Sequence, residues 1–233
     1  FTGIEGSNMP RKPAAPEDLS AKKALALEVI ARLKKEYPDA ACTLDYDHAW
    51  QLLVSVRLAA QCTDARVNIV VEDLFAKYPS VAALAAAEPE EIEAIVKPCG
   101  LGHSKARDIS ACMRMLRDKY DCKVPTTFEE LLSLPGVGRK SANLIMGDVF
   151  GKPAIVTDTH CIRLCNKIGL VDGIKEPQKV EMALWKIIPP EEGSDLCHRF
   201  VMHGRAVCNA RKPECEKCCL RDICRYAREN AAT

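Results

Sequence analysis

The chain has 233 residues, of which 48% are hydrophobic and 28% are charged, and its formal net charge is +1 at pH 7. This length is sufficient for one large domain or for two smaller ones, each with a buried core. No apolar run approaches the roughly 18 residues that a membrane-spanning helix needs, and the near-neutral charge alone does not indicate a nucleic-acid partner.

The predicted elements begin with a polar tail, because residues 1–19 are rich in Gly, Pro and Ser and lack hydrophobic periodicity, which predicts disorder. A first helix is expected from about Ser20 to a point before Pro38. Apolar periodicity then predicts helices over 46–60, 64–77, 80–86, 89–95, 104–119, 127–132, 139–150, 158–169, 176–188 and 192–207. Gly and Pro separate these segments, and alternating β-branched runs are absent. The sequence therefore predicts an all-α fold.

A glycine-containing string, LPGVGRK, links the helices predicted at 127–132 and 139–150. Gly136 and Gly138 permit a tight hairpin whose backbone amides can point outward at an anion. The N-terminus of the following helix adds unpaired N–H groups and the positive end of its dipole. A plain turn could contain the same Gly-x-Gly, but the wider string favours a hairpin that binds phosphate.

Lys140 and Asp158 are the candidate catalytic residues of this region. The helix dipole disfavours an ammonium in the first turn after the hairpin, and partial burial would further favour the free amine of Lys140. A free amine can attack a sugar carbon and form a Schiff base. Asp158 could orient or deprotonate this amine and stabilise the positive charge that develops on a deoxyribose as its base leaves. Considered singly, Lys140 could bind a phosphate and Asp158 could only cap its helix.

Thirteen cysteines in a chain of this length predict a reducing compartment, since the chain is long enough for a core and shows no signal-peptide pattern. Eight of them are scattered through apolar helical stretches, where they are expected to be buried hydrophobes. The C-terminal Cys208, Cys215, Cys218 and Cys224 are separated by six, two and five residues. Four thiolates in one loop predict a metal site, and the spacing leaves zinc and an iron–sulfur cluster equally open. Cys219 is one residue out of register and is predicted to be a bystander.

The segment between the first two of these cysteines contains Arg211 and Lys212. Residues 197–233 hold eight Lys/Arg against four Asp/Glu, so positive charge is concentrated there. A metal site would hold this loop rigid, and a rigid basic loop can dock DNA phosphates.

LPGVGRKSAN, TDTH and the four-cysteine loop resemble the endonuclease III family of helix-hairpin-helix DNA glycosylases, over about residues 20–228. The resemblance implies a bifunctional DNA glycosylase and abasic-site lyase, with Lys140 as the nucleophile and Asp158 as the catalytic carboxylate. It also implies one [4Fe-4S] cluster, held by Cys208, Cys215, Cys218 and Cys224. Thr157 stands where a small apolar residue is common in the family, a departure that does not touch the chemistry.

Two lobes are implied by the same resemblance, with a cleft between them. Residues 42–152 would form a six-helix domain that carries the hairpin, and 20–41 with 153–233 would form the iron–sulfur cluster domain. A nucleotide must rotate out of the duplex to reach such a cleft. The resemblance assigns Gln61 and Leu101 to the residues that enter the duplex in its place, and Lys105 is expected to contact a phosphate.

The predicted function is the removal of oxidised or saturated pyrimidines from double-stranded DNA, with cleavage at the abasic site. The enzyme is expected to be a monomer in a prokaryote-like cytoplasm, associated with the nucleoid. An adenine mismatch glycosylase shares the hairpin, aspartate and cluster, but it carries a Glu at the position aligned with Val56 and no nucleophilic lysine. A non-catalytic DNA-binding module with a structural metal loop is the other alternative, because a sequence does not show that Lys140 and Asp158 meet.

Overall fold

The computed structural model describes residues 19–231, and all regular secondary structure in this range is helical. In chain order the α-helices of this range are α1 (Ser20–Glu36), α2 (Ala49–Leu58), α3 (Asp64–Lys77), α4 (Val81–Ala86), α5 (Pro89–Val96), α6 (Gly102–Lys119), α7 (Phe128–Ser133), α8 (Arg139–Asp148), α9 (Thr159–Ile168), α10 (Pro177–Trp185), α11 (Gly193–Ala206) and α12 (Arg225–Asn230). Short 3-10 helices occupy Lys97–Cys99, Pro190–Glu192 and Cys215–Lys217. The predicted all-α fold is confirmed, whereas the tail predicted over 1–19 lies, apart from Leu19, outside the described residues.

Side-chain caps determine where several helices begin. The hydroxyls of Thr63, Ser80 and Thr127 each accept a first-turn backbone N–H of α3, α4 and α7, at 3.0 to 3.3 Å. Each bond satisfies one of the N–H groups that a helix leaves unpaired at its start. Helix α2 begins at Ala49, three residues later than predicted. Gln51 Oε1 accepts the backbone N–H groups of Asp47 and His48, which fixes the chain just before the helix.

Helix α12 and the three 3-10 helices were not predicted. The 3-10 helices have three residues each, which is too short for hydrophobic periodicity to be visible, and α12 has six residues of which only Ala227 is buried. Among the described helices, none combines the length and hydrophobicity that crossing a bilayer requires.

Buried apolar side chains form two separate clusters. The first draws on α2 to α8, and its fully buried members include Leu52, Leu74, Met113 and Ile145. The second joins α1 to the chain after residue 154, and its members include Leu33, Leu164 and Phe200. The division of the chain into domains at 42–152 and at 20–41 with 153–233 stays a prediction.

A buried carboxylate, that of Glu181 in α10, connects the two clusters beside the hairpin. Glu181 is 2% exposed and accepts two hydrogen bonds from Arg139 in α8, at 2.7 and 3.1 Å. Asn143 and Trp185 donate to the same carboxylate at 3.1 and 3.2 Å. Because a charge-assisted, two-point contact of this kind fixes orientation as well as distance, it positions α8 against α10.

Candidate active site

A pocket of about 390 Å³ lies between the two clusters. Its walls are the end of α2 with the following turn, the first turns of α8, the start of α9 and the middle of α11. Gln61, Lys140 and Asp158 all line it. Its volume falls in the range of about 300 to 1,000 Å³ that is usual for ligand sites. The structure therefore brings three of the predicted site residues into one pocket.

Lys140 is the second residue of α8 and reaches the pocket from the hairpin side. The sequence argument invoked partial burial of its amine, but the side chain is exposed. Water therefore has access to the Lys140 side chain in the free protein.

Asp158 is the N-cap of α9 and lines the same pocket as Lys140. Its Oδ1 accepts the backbone N–H of Cys161 at 2.8 Å. Within the described part of the chain, Oδ2 takes no such bond. The capping role and the catalytic role are therefore compatible, because each oxygen can serve one of them.

His160 is a pocket residue that the sequence analysis did not single out. Burial lowers the pKa of His160, and the charge of Asp158 acts in the opposite direction. Its Nδ1 lies 3.1 Å from Arg163 Nη2, and the same guanidinium donates to the Cys208 carbonyl at 2.8 Å. A Cβ on Gly204 would lie 2.5 Å from this Nδ1, so only glycine fits there. The start of α9 is thereby connected to the cysteine loop.

The two hairpin glycines have different structural environments. Gly136 has a φ of +76°, and a Cβ there would lie 2.8 Å from the Cβ of Asp108. Asp108 is itself held by Arg57, whose Nε donates to it at 2.7 Å. Gly138 has a φ of −97°, and a Cβ there would meet no atom within 4 Å. The fold therefore requires glycine at 136, whereas any requirement at 138 must come from a molecule that approaches from outside.

Gln61 and Leu101 are both exposed and both adopt left-handed backbone conformations, with φ of +55° and +49°. This region costs a non-glycine residue about 1–2 kcal/mol. Leu101 is also 56% exposed, one of four large apolar side chains that are exposed among the described residues. Strain combined with exposure is typical of functional positions. Leu101 lies outside the pocket lining, at the N-cap of α6.

The expectation that Lys105 contacts a phosphate is wrong. Its side chain is fully buried, and its Nζ donates to the carbonyls of Leu58, Ala60 and Cys99. All three ammonium protons are therefore committed inside the protein.

The four C-terminal cysteines line a second cavity, between α9, α11 and α12. Burial raises the pKa of Cys218 to about 12 and also raises that of Cys208. Partly buried thiols of this kind become thiolates when a cation binds to them, so the donor set fits a metal group. Within residues 19–231, no three His, Cys, Asp or Glu side chains are spaced to hold a single ion. Cys219 is outside the cavity lining, and its carbonyl accepts from Arg32 at 3.0 Å.

His203 supports this cysteine set and was missed by the sequence analysis. The side chain is 1% exposed, with Nε2 3.2 Å from Cys218 Sγ and Nδ1 2.8 Å from the Tyr37 hydroxyl. The Leu220 N–H donates to the same sulfur at 3.4 Å. Hydrogen bonds to sulfur stabilise a metal-bound thiolate. The available signal was a histidine placed on the apolar face of α11.

Arg211 and Lys212 are exposed on the loop between Cys208 and Cys215. Asn209 Oδ1 accepts the N–H of Lys212 at 3.0 Å, which orders the turn. Neither basic residue lines the pocket, and their contact with DNA stays a prediction.

Comparison with known proteins gives the family of this chain. Residues 54–190, more than half of the chain, match the HhH-GPD superfamily of base excision DNA repair proteins. Endonuclease III of Synechocystis sp. is 44% identical over 207 residues, which cover 88% of this chain and 94% of that protein. The chain belongs to the endonuclease III family. Endonuclease III of Escherichia coli K12 is 37% identical over 204 residues, which cover 88% of this chain and 96% of that protein.

A solved structure supports the assignment to endonuclease III. A non-covalent endonuclease III–DNA complex matches with a TM-score of 0.85 at 40% identity, over 91% of this chain and 99% of that chain. The predicted family and enzyme class are thus confirmed. The chain is a DNA glycosylase and abasic-site lyase of base excision repair.

Proposed function

We propose that this endonuclease III-family enzyme acts on oxidised or saturated pyrimidines in double-stranded DNA, with Lys140 as the nucleophile and Asp158 as its acid–base partner. The proposal is supported above all by one observation: both side chains line the same pocket, Lys140 from the first turn of α8 and Asp158 from the N-cap of α9. The pocket is open enough to admit a nucleotide that has rotated out of the duplex.

The first chemical step replaces the damaged base by the lysine. Asp158 accepts a proton from the Lys140 ammonium, and the free Nζ attacks C1′ of the deoxyribose. The C1′–N bond breaks, and the base leaves with its electron pair and takes up the proton that Asp158 received, which restores the Asp158 carboxylate. The Asp158 carboxylate stabilises the positive charge that develops on the sugar. The flipped nucleotide displaces water from the exposed amine, which strengthens this interaction.

The second step cleaves the strand. Opening of the sugar ring, with O4′ taking up a proton, turns the C1′ adduct into an imine with Lys140. Loss of a C2′ proton then expels the 3′ phosphate by β-elimination. Water finally hydrolyses the imine, which releases an unsaturated aldehyde end and restores the free lysine.

We further propose that Cys208, Cys215, Cys218 and Cys224 hold one [4Fe-4S] cluster. When bound, this group supplies iron–thiolate bonds that cross-link the loop. His203 and the Leu220 N–H would donate to the Cys218 sulfur, and Arg163 would hold the loop to α9. Iron analysis should give about four irons per chain; one zinc per chain and no iron would contradict the proposal.

DNA contacts are proposed for the hairpin amides around Gly136 and Gly138, for Arg211 and Lys212 on the cysteine loop, and for the inserting residues Gln61 and Leu101. The first-turn N–H groups of α8 lack helical partners and are free to meet a phosphate. A monomeric state and a nucleoid-associated cytoplasmic location stay predictions.

The residues of the pocket do not support the alternative function of an adenine mismatch glycosylase. Val56 lines it at the position where that class carries a catalytic Glu, and the helical stretch from 50 to 61 contains no carboxylate.

A panel of duplexes tests the substrate class. Each duplex carries one lesion, either thymine glycol, dihydrouracil, 8-oxoguanine opposite cytosine, or adenine opposite 8-oxoguanine. We expect strand cleavage at the two pyrimidine lesions and little at the purines. Preferential removal of either purine would contradict the proposed substrate class and leave the lyase chemistry intact.

A further inference from the structure

Lys105 is a fully buried lysine in the first turn of α6 that binds three main-chain carbonyls. Its Nζ donates to Leu58 at 2.9 Å, to Ala60 at 2.7 Å and to Cys99 at 2.9 Å. An ammonium has three protons, so this donor is completely satisfied. Within the described residues, no carboxylate pairs with it. The positive charge is thus stabilised by main-chain oxygens alone.

The three carbonyls belong to the two segments that present the proposed inserting side chains. Ala60 directly precedes Gln61, and Leu58 is the last residue of α2. Cys99 ends the 3-10 helix that leads through Gly100 to Leu101. About 40 residues separate the two segments in sequence, yet one ammonium bonds both of them.

A lysine at this position is costly, which indicates a role beyond filling space. Burial lowers the pKa of Lys105, so the surroundings oppose the charged form. A methionine would fill similar space without this penalty. The ends of α2 and of the 3-10 helix leave carbonyls without helical partners, and only a donor that reaches both segments can satisfy them together.

The hydrogen bonds of Lys105 hold two loops whose backbone is strained. Gln61 and Leu101 are held in the left-handed region, which a free loop would leave for a lower-energy conformation. Each strained residue lies one or two positions after a carbonyl that Lys105 binds. The ammonium therefore resists relaxation of both loops at once.

We propose that Lys105 is a positioning residue that sets Gln61 and Leu101 relative to each other, so that both side chains enter the duplex in one event. The inference rests on the proposed function, since it takes insertion by Gln61 and Leu101 as given. It assigns Lys105 no contact with DNA and no part in the bond changes at C1′.

The proposal predicts that a Lys105 variant loses activity on duplex DNA but keeps its activity on single-stranded DNA. A lesion in a duplex requires insertion of both residues, whereas an abasic site in a single strand has no stack to open. Lys105→Met should lower the rate of thymine-glycol excision from duplex by on the order of 10- to 100-fold, the scale of a small misplacement of a positioning group. Borohydride trapping on a single-stranded abasic oligonucleotide should be unchanged.

Two controls separate positioning from stability. Leu84→Ala removes a fully buried side chain of α4, a helix that contacts α6 away from Lys105. One such contact is made by the neighbouring Ala85, whose carbonyl accepts a hydrogen bond from Arg114 of α6. This variant should lose stability but keep the wild-type ratio of duplex to single-strand activity. Lys119→Met removes an exposed charge from the other end of α6 and should change neither activity.

A milder variant covers the case in which Lys105→Met does not fold. Lys105→Gln keeps two N–H donors on a shorter side chain and should show the same selective loss on the duplex. Hydrogen exchange on the folded variant should accelerate at residues 59–63 and 97–102 together, with the hairpin at 134–140 unchanged.

The results distinguish the inference from the proposed function beneath it. Equal losses on duplex and single strand, or no loss on either in a folded variant, overturn the role of Lys105 alone. Faster exchange in only one of the two loops also overturns it. If the wild-type protein traps on neither substrate, the proposed function fails and the inference fails with it.

Discussion

Alanine substitution of the two hairpin glycines should separate what the fold requires from what DNA requires. At Gly136 the left-handed φ of +76° would cost an alanine about 1–2 kcal/mol. The added Cβ would also lie 2.8 Å from the Cβ of Asp108, and relief of such overpacking costs about 1–3 kcal/mol. We expect Gly136→Ala to lower the free energy of unfolding by roughly 2–5 kcal/mol.

Gly138→Ala should leave the free protein nearly unchanged. The backbone there is ordinary, and the new methyl would meet no atom within 4 Å. Alanine is a poorer N-cap than glycine, but it lowers the entropy of the unfolded chain, and these effects of about 0.5–1 kcal/mol oppose each other. If a phosphate approaches the hairpin amides, the methyl should disrupt one charge-assisted hydrogen bond. The cost of about 1.5–3 kcal/mol would weaken duplex binding on the order of 10- to 100-fold.

The assay pairs urea denaturation with the affinity for a duplex that contains a tetrahydrofuran abasic analogue, at one fixed salt concentration. The expected pattern is stable but weak-binding for Gly138→Ala, and destabilised for Gly136→Ala. Wild-type affinity in Gly138→Ala would refute the proposal that the hairpin binds phosphate. A destabilisation of Gly138→Ala equal to that of Gly136→Ala would refute the structural argument.

Three other perturbations test the contacts around the site. Glu181→Ala should lower the free energy of unfolding by about 2–3 kcal/mol, because it leaves a partly exposed Arg139 without its carboxylate. Urea denaturation measures this change, and Glu181→Gln should lower the free energy of unfolding by less. Oxidation and chelation of the proposed cluster should expose the loop from 208 to 224 to protease before other segments, and uniform digestion would contradict the proposal that a cluster braces this loop. Hydrogen bonds from Lys22 and Arg225 lower the pKa of Asp172, so its stabilisation is present above the unfolded pKa of about 3.9 and is lost as the pH falls further. Asp172→Asn should make the free energy of unfolding depend less on pH at acid pH. An unchanged pH dependence would contradict this.

Local motifs were sufficient to predict where Lys140 and Asp158, the proposed catalytic pair, lie in the fold. The residues of LPGVGRKSAN and TDTH combine with helix periodicity to place Lys140 in the first turn of α8 and Asp158 at the cap of α9. Whether the two share a pocket depends on the packing of α8 against α9 to α11, and this packing relies on contacts such as that between Arg139 and Glu181. Glu181 lies 42 residues after Arg139 in the sequence, so no local sequence pattern indicates that the two side chains pair.

Long-range burial explains the errors of the sequence analysis. Lys105 follows a Gly-flanked loop with other polar residues, which suggested exposure, but its three acceptors come from segments that only the folded chain brings together. His203 was missed for the same reason, since Tyr37 and Cys218 reach it from opposite ends of the chain.

Borohydride trapping on a duplex with one thymine glycol tests whether Lys140 is the nucleophile, because it records the covalent bond between enzyme and sugar. We expect wild-type protein to form a covalent adduct that maps to the peptide containing Lys140. Lys140→Gln should form none, and Asp158→Asn should form it much more slowly. The matched control Lys152→Gln, which changes an exposed lysine beyond the far end of α8, should trap as wild type does. An adduct that persists in Lys140→Gln, or that maps to another lysine, would show that Lys140 is not the nucleophile.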